Sequence, residues 1–162
     1  MCRSRSAYLE VRSSLAEIFP DEGLDYLLSV CFDAGTQDTT FFVGLFTSQT
    51  ASTVPARTAV GGASPSGWTE ATFTNYARQA ISSGAWGSPS TNGNGRKITG
   101  PQVTFPTVGA SGNTVNGFFI ATSSASGAGD VMIFFANFDS GVARVLVTGD
   151  IEKVTPSAQF DG

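Results

Sequence analysis

The sequence contains no histidine at all. That absence removes every Ser-His-Asp and Cys-His nucleophilic arrangement, and every metal site that needs an imidazole. Cysteine is nearly absent as well. Cys2 and Cys31 are too few and too far apart for a zinc or iron–sulfur centre. A Cys2–Cys31 disulfide is open to them, but two free thiols in a chain folded in a reducing cytosol are the expected state. Charge is scarce, at 14% of residues with a net charge of −4, against about 25% charged residues in an ordinary soluble protein. Without clustered positive charge to meet phosphates, no nucleic-acid partner is expected. No apolar run approaches the roughly 18 residues of a membrane span. The N-terminus, with Arg3, Arg5, Glu10 and Arg12, lacks the apolar block of a secretory signal. Neither a membrane partner nor a cofactor is expected.

What is present describes a folded β protein. The length, 162 residues, suits one domain. Glycine, serine and threonine (19, 19 and 18 residues) make up a third of the chain, while 41% is apolar with 13 Phe. That much apolar surface at so low a net charge excludes general disorder. Charge is also unevenly placed. Residues 1–38 hold Glu10, Glu17, Asp21, Glu22, Asp25, Asp33 and Asp38 with three arginines. Residues 39–149 hold only Glu70, Asp130 and Asp139 against Arg57, Arg78, Arg96, Lys97 and Arg144. So thin a charge layer suits a subunit partly covered by neighbours, or a surface solvated by Ser, Thr and Asn.

Residues 1–20 read as a short amphipathic helix with Leu9, Val11, Leu15, Ile18 and Phe19 apolar, stopped by Pro20. Asp21 then looks like an N-cap. Leu24, Leu27, Leu28 and Cys31 fall at helical spacing, which predicts a second helix over 22–34 ended by Gly35. Beyond Gly35 the period changes from 3.6 to 2. Strands are predicted at 39–47, 70–82, 98–106 (with Pro101 demoting it to an edge or bulge), 114–122, 130–138 and, as one last strand or a bent pair, 142–155. The stretch 48–68 reads as a long loop, and Gly149-Asp150 as a bend. Short strands with Gly/Ser/Pro turns predict a mainly β fold, an antiparallel β-sandwich or a jelly roll, with one or two N-terminal helices. The expected division is an arm over 1–23 and a sandwich over 24–162.

Few residues offer chemistry. Asp150 and Glu152 would share one face of a strand, the spacing a glycosidase pair could use, but they adjoin Lys153 where a solvated strand end explains them. Asp130 and Asp139 bracket a hydrophobic strand as turn residues do. Gly93, Gly95 and Lys97 lack the spacing of a phosphate loop. Trp68 and Trp86 could stack on sugar rings, yet anchoring loops over the core explains them better. Arg78 is expected in a structural ion pair with Glu70 or Asp130, or against a neighbouring subunit.

The order of segments carries more. The helix LDYLLSVCFDA leads into TTFFVGLFTSQ and a variable loop, then WTEATFTNYARQAI, a Gly/Asn loop with Trp86, VTFPTV, and finally NTVNGFFIATSSASGAGDVMIFFANFD. VGLFT (43–47), YARQA (76–80) and VTFP (103–106), in this order and spacing, resemble small virion proteins of tailed bacteriophages, labelled tail-fibre-like or head-decoration proteins. The resemblance covers about residues 24–155. The GFFIATSSASGAGDVMIFFANF hairpin departs from the family's Trp-containing one, and the first 23 residues have no counterpart.

The resemblance implies a jelly-roll-like antiparallel β-sandwich that acts as a capsid cement or decoration protein and bridges subunits of the major capsid protein. It would be a homo-oligomer, dimer or trimer, on the outer surface of the virion, made in the host bacterial cytoplasm, and no enzyme. The alternative is a carbohydrate-binding adsorption module of a tail fibre. The arm, with Arg3, Arg5, Leu9, Arg12, Leu15 and Phe19, is the expected contact with the capsid or an adjacent copy, the alternative being an arm folded back on its own sandwich. Consecutive aromatics at Phe118, Phe119, Phe134 and Phe135 predict adjacent strands buried on both faces.

Overall fold

The computed structural model describes residues 17–33, 35–47, 61, 67–93, 95–110, 112–138 and 142–160. Cys2, Arg3, Arg5, Leu9, Arg12, Leu15, Asp139 and most of the 48–68 loop lie outside them. In chain order the first elements are β1 (Glu17–Ile18), α1 (Asp21–Phe32), β2 (Thr40–Thr47), β3 (Thr69–Glu70), β4 (Gln79–Ser82), β5 (Ser90–Asn92) and β6 (Gly95–Thr99). After them come β7 (Val103–Thr104), β8 (Thr114–Val115), β9 (Gly117–Ala121) and β10 (Met132–Asn137). The described chain closes with β11 (Arg144–Val145), β12 (Lys153–Val154) and β13 (Ser157–Phe160).

The main sheet grows from β2, whose β-branched and aromatic residues favour an extended backbone. One edge of β2 pairs with β9, β9 with β10, and β10 with β1, all antiparallel. The other edge carries β3 and β4 in succession. Opposite the sheet, the short ladders β8–β11, β7–β12 and β5–β6–β13 bring Val103, Phe105, Val115, Leu146, Val154 and Ala158 into one core with Val43, Leu45, Phe118 and Phe134. The described residues thus form a mainly β fold, an antiparallel β-sandwich with one α-helix near its N-terminal side.

Both faces of the main sheet are buried, as the paired aromatics predict. Phe118 and Ile120 join the core, while Phe119 and Ala121 point the other way into a second cluster with Phe46, Met132 and Phe135. Strict alternation fails at one place. Met132 lies opposite Ala121 and Phe134 opposite Ile120, so Ile133 is an extra residue, a β-bulge. The bulge sends the successive side chains Ile133 and Phe134 to the same core and turns Met132 to the far side.

Helix α1 is seated on that bulge. A Cβ at Gly23 would meet the carbonyl oxygen of Ile133 and lie 2.7 Å from that of Met132, so only glycine permits this approach. Glu22 beside it accepts hydrogen bonds from the backbone N–H of Met132 (2.6 Å) and of Gly61 (2.7 Å). The carboxylate thereby satisfies two donors that no strand pairs.

Several sequence expectations need correction. Glu17–Ile18 is strand, not helix: it takes the free edge of β10, opposite Ala136 and Phe135. The open edge of β10 offers unpaired backbone groups, and pairing with them fixes this segment as extended chain. With α1 seated through Gly23, residues 17–23 belong to the sandwich rather than to a separate arm. Pro20, not Asp21, stands at the N-cap, and its carbonyl accepts the Leu24 N–H. The helix ends at Phe32, one turn before Gly35, whose N–H bonds back to Ser29. Its inward side runs through Gly23, Tyr26, Leu27 and Val30, whereas Leu28 and Cys31 are exposed. The predicted face is rotated by one position because Gly23 has no side chain to mark it as buried.

The predicted strand 70–82 is two strands interrupted by a turn, where Asn75 adopts φ 76° and the Tyr76 N–H bonds to the Phe73 carbonyl. Residues 98–106 divide at Gly100–Pro101 into the ends of β6 and β7, since Pro101 cannot donate to a ladder. The bend at Gly149-Asp150 is present, with Gly149 at φ 92°. Strand β13, which pairs with β6, was not anticipated.

Candidate functional site

The main charged centre is built by Arg78. Its residue precedes β4, and its guanidinium lies 4.8 Å over the ring of Phe119 on the second face of the sheet. All five N–H donors find acceptors. Nε bonds to Glu70 Oε1 (2.7 Å), and Nη2 to Glu70 Oε2 (2.9 Å) and Ser126 Oγ (3.1 Å). Nη1 bonds to Asp130 Oδ2 (3.0 Å) and to the Ser123 carbonyl (2.8 Å). Asp130 also accepts the Ser123 N–H. The planar fork of arginine is what allows two carboxylates and a loop backbone to be held by one cation.

Electrostatics follow from burial. Desolvation works against the Arg78 charge, but the hydrogen bonds and charge of Glu70, with those of Asp130, outweigh it and hold its pKa above the ordinary value. Asp130 is shifted upward, because burial costs its anion more than Arg78 returns. Tyr76, which donates to Glu70 Oε1 at 2.8 Å, is raised by burial and then by the Glu70 charge. This network pins the 122–130 loop between β9 and β10. Sequence reasoning foresaw Glu70 or Asp130 as partner; the structure uses both. Ser123 and Ser126 were not foreseen, since nothing in SSASGAG distinguishes them.

The other carboxylate pair divides its tasks. Glu152 is buried and ion-paired with Arg144, whose guanidinium stacks 4.1 Å over Phe138. Its pKa is raised, chiefly by burial. Asp150 accepts the Val147 N–H at 2.9 Å and closes the turn through Gly149. Residues 150–152 are not strand, so the shared strand face expected for Asp150 and Glu152 does not form, and Glu152 is no solvated strand end. Each carboxylate is engaged in holding the chain's own backbone or side chains.

The tryptophans are packed inward. Trp68 lies against Phe119 (4.8 Å between ring centroids) and Phe135 (5.7 Å), and Trp86 packs on the core beside Gly100. Neither is a free platform for a sugar ring. Gly93 lies in the turn after β5 at φ 57°, and Gly95 opens β6 opposite Asn92. Of the expected arm contacts, Phe19 is the one within the described residues, and its ring sits 5.0 Å from Phe134 in the chain's own core. Cys31 is exposed as a free thiol.

Among the described residues, large apolar side chains remain exposed in two stretches. On α1 these are Leu28 (56%) and Phe32 (84%); on the stretch through β11 they are Val142, Val145 (69%), Val147 and Ile151. Isolated exposed apolar residues are ordinary, but grouped ones mark contact surfaces. Sequence periodicity placed Leu28 inside. Asp21 and Asp25, seven residues before Leu28 and Phe32 respectively, were the available signal, since residues seven apart share a helix face.

Among the described residues no helix is long and apolar enough to cross a membrane. No protein-family model matches the chain, and no curated protein matches it significantly.

Proposed function

We propose that this chain is a structural protein of a tailed-phage virion, a cement or decoration protein that binds the outer surface of the head and bridges major capsid protein subunits. The observation that carries the reading is the contrast between its two kinds of side chain. The buried and half-buried carboxylates Glu22, Glu70, Asp130 and Glu152 are engaged in internal hydrogen bonds and ion pairs. Meanwhile grouped large hydrophobics face outward on α1 and on 142–151. A site that works on small molecules converges polar groups into a cleft; a surface that binds protein presents apolar anchors. The segment order VGLFT, YARQA, VTFP supports the virion assignment in particular, and with it a jelly-roll-like ordering of the strands.

The mechanism would be mass action. A subunit that binds the assembled shell and not its dissociated parts stabilises that shell by RT ln(1 + [L]/Kd) at each site. The test is quantitative protein analysis of purified virions. A copy number commensurate with the major capsid protein is expected, together with earlier thermal rupture of heads that lack the chain. A copy number matching the few tail-fibre positions, with binding on a glycan array, would replace this reading by a carbohydrate-binding tail module.

A further inference from the structure

We propose that Asn92 is a self-modifying site, where the backbone nitrogen of Gly93 closes on the side-chain amide and converts it to an isoaspartyl or aspartyl residue, with Gln159 restraining the closure. Water is the one outside reactant. The Gly93 nitrogen, once its proton has gone to base, bonds to Cγ of Asn92. The Cγ–Nδ2 bond breaks, and Nδ2 takes a proton from water and leaves as ammonia. Water then opens the five-membered succinimide. Attack at Cγ restores the main chain with an aspartate, whereas attack at the Asn92 main-chain carbonyl leaves the chain running through Cγ as an isoaspartate.

Asn92, Asn94 and Asn116 precede glycine, while the other asparagines precede Tyr76, Thr114 and Phe138. A side chain on the following residue crowds the attacking nitrogen, and glycine has none. The fold then separates the three. Asn92 is exposed at the end of β5. Gly93 lies in the turn beyond it at φ 57°, with no atom within 4 Å of the place a Cβ would take. Asn116, by contrast, is 2% exposed, and Gly117 is a ladder residue of β9 opposite both Phe46 and Asn137. Closure there has to wait for the strands to open, which slows it by at least about a hundredfold. Asn94 lies outside the described residues, but the nitrogen it would use belongs to Gly95, which is buried and paired opposite Asn92.

The restraint is a hydrogen bond from Asn92 Nδ2 to Gln159 Oε1. Gln159 lies on β13, and β6 separates β13 from β5, so this bond joins the two outer strands across the middle one. Closure requires the amide to turn to the Gly93 nitrogen, and the bond to β13 opposes that turn. A single exposed hydrogen bond opposes it weakly, by a factor of roughly two to ten. The products change this sheet. Either carboxylate lacks the donor that Gln159 Oε1 accepts, and it adds a negative charge to the hairpin that carries Arg96 and Lys97. The isoaspartyl form also inserts one more main-chain carbon at the Asn92–Gly95 pair that closes the hairpin.

The experiment holds the folded full chain in warm, mildly alkaline buffer and reads its peptides by mass spectrometry. Electron-transfer fragmentation locates the change and distinguishes isoaspartate from aspartate. Deamidation is expected at Asn92, faster at higher pH and with isoaspartate among the products, and at least about a hundredfold slower at Asn116. The same incubation in urea should erase the difference between the two sites, because both are Asn-Gly pairs. Gln159→Ala should speed the change at Asn92 by roughly two- to tenfold and leave Asn116 unmoved. An Asn92 that keeps its amide in the folded chain while the unfolded chain loses it overturns the site, and so does loss confined to Asn94 or Asn116. An unaltered rate in Gln159→Ala overturns the restraint. Equal acceleration at Asn92 and Asn116 overturns it too, since that marks a general loosening of the fold.

Discussion

The phenol oxygen of Tyr76 accepts the backbone N–H of Leu45 at 2.9 Å and donates to Glu70 at 2.8 Å. Leu45 lies on the edge of β2 where β3 has ended and β4 has not begun. Its carbonyl is met by the Ala71 N–H, and its own N–H would be orphaned in the interior without the tyrosine. A side chain here completes a ladder that the backbone leaves open, and it ties that ladder to the Arg78 network.

Tyr76→Phe should therefore cost stability although the ring still packs on Phe73 and Phe105. Leaving a buried donor without an acceptor costs about 1–3 kcal/mol. Urea unfolding is the measurement, and an unchanged midpoint would show that Leu45 finds another acceptor.

Arg78→Met should be more severe, because Glu70 and Asp130 would lose their shared cation. Breaking a buried ion pair from one side costs about 3–5 kcal/mol. Arg78→Lys should rescue little, since an ammonium has three donors where five are used. Full recovery by lysine in the same denaturation assay would mean that charge alone, not the fork, holds the 122–130 loop.

Gly23→Ala should reverse the usual sign of its substitution. In an exposed helix interior alanine gains about 1 kcal/mol over glycine. Here the added carbon meets backbone atoms of Met132 and Ile133, which cannot swing away as a side chain would. Overpacking of this kind costs about 1–3 kcal/mol, so a net loss is expected. A raised melting temperature would show that α1 shifts freely on the bulge.

Phe19→Ala tests whether this end of the chain belongs to the sandwich. The ring lies on Phe134 but keeps part of its surface in water. A loss near 3 kcal/mol, the low end for Phe→Ala, is expected in the free protein. No change in free-protein stability would return Phe19 to the role of an external contact.

The pH dependence at Glu152 follows from its raised pKa. Burial, more than Arg144 offsets, lifts the carboxyl above its ordinary 4.5. Between the unfolded and the folded value the native state binds a proton that the unfolded chain has released. The contribution is then fully present below 4.5 and is lost as pH rises through the folded pKa. Compared with Glu152→Gln, which does not titrate, the wild type should lose relative stability as pH climbs past 4.5. A relative stability that instead grows with pH would show that Arg144 holds the group as an anion.

Sequence by itself determined the class of fold and most of its strands. Residues such as Val43, Leu45, Phe118, Phe119, Phe134 and Phe135 specify extended structure through local propensity and period, whatever surrounds them. The absence of histidine likewise settled, without coordinates, which chemistries were closed. Tertiary structure decided what depends on neighbours distant in the chain. Whether 17–18 coils or pairs depends on the open edge of β10. Which side of α1 is inside depends on a glycine that hydropathy cannot register. The bulge at Ile133 breaks an alternation that the letters alone continue. Whether Arg78 takes Glu70 or Asp130 had no local answer, because Glu70 reaches it through the pairing of β3 and β4 with β2, and Asp130 through the β9–β10 loop. Periodicity is a property of consecutive residues, whereas edges, close approaches and buried charge clusters are properties of the packed whole.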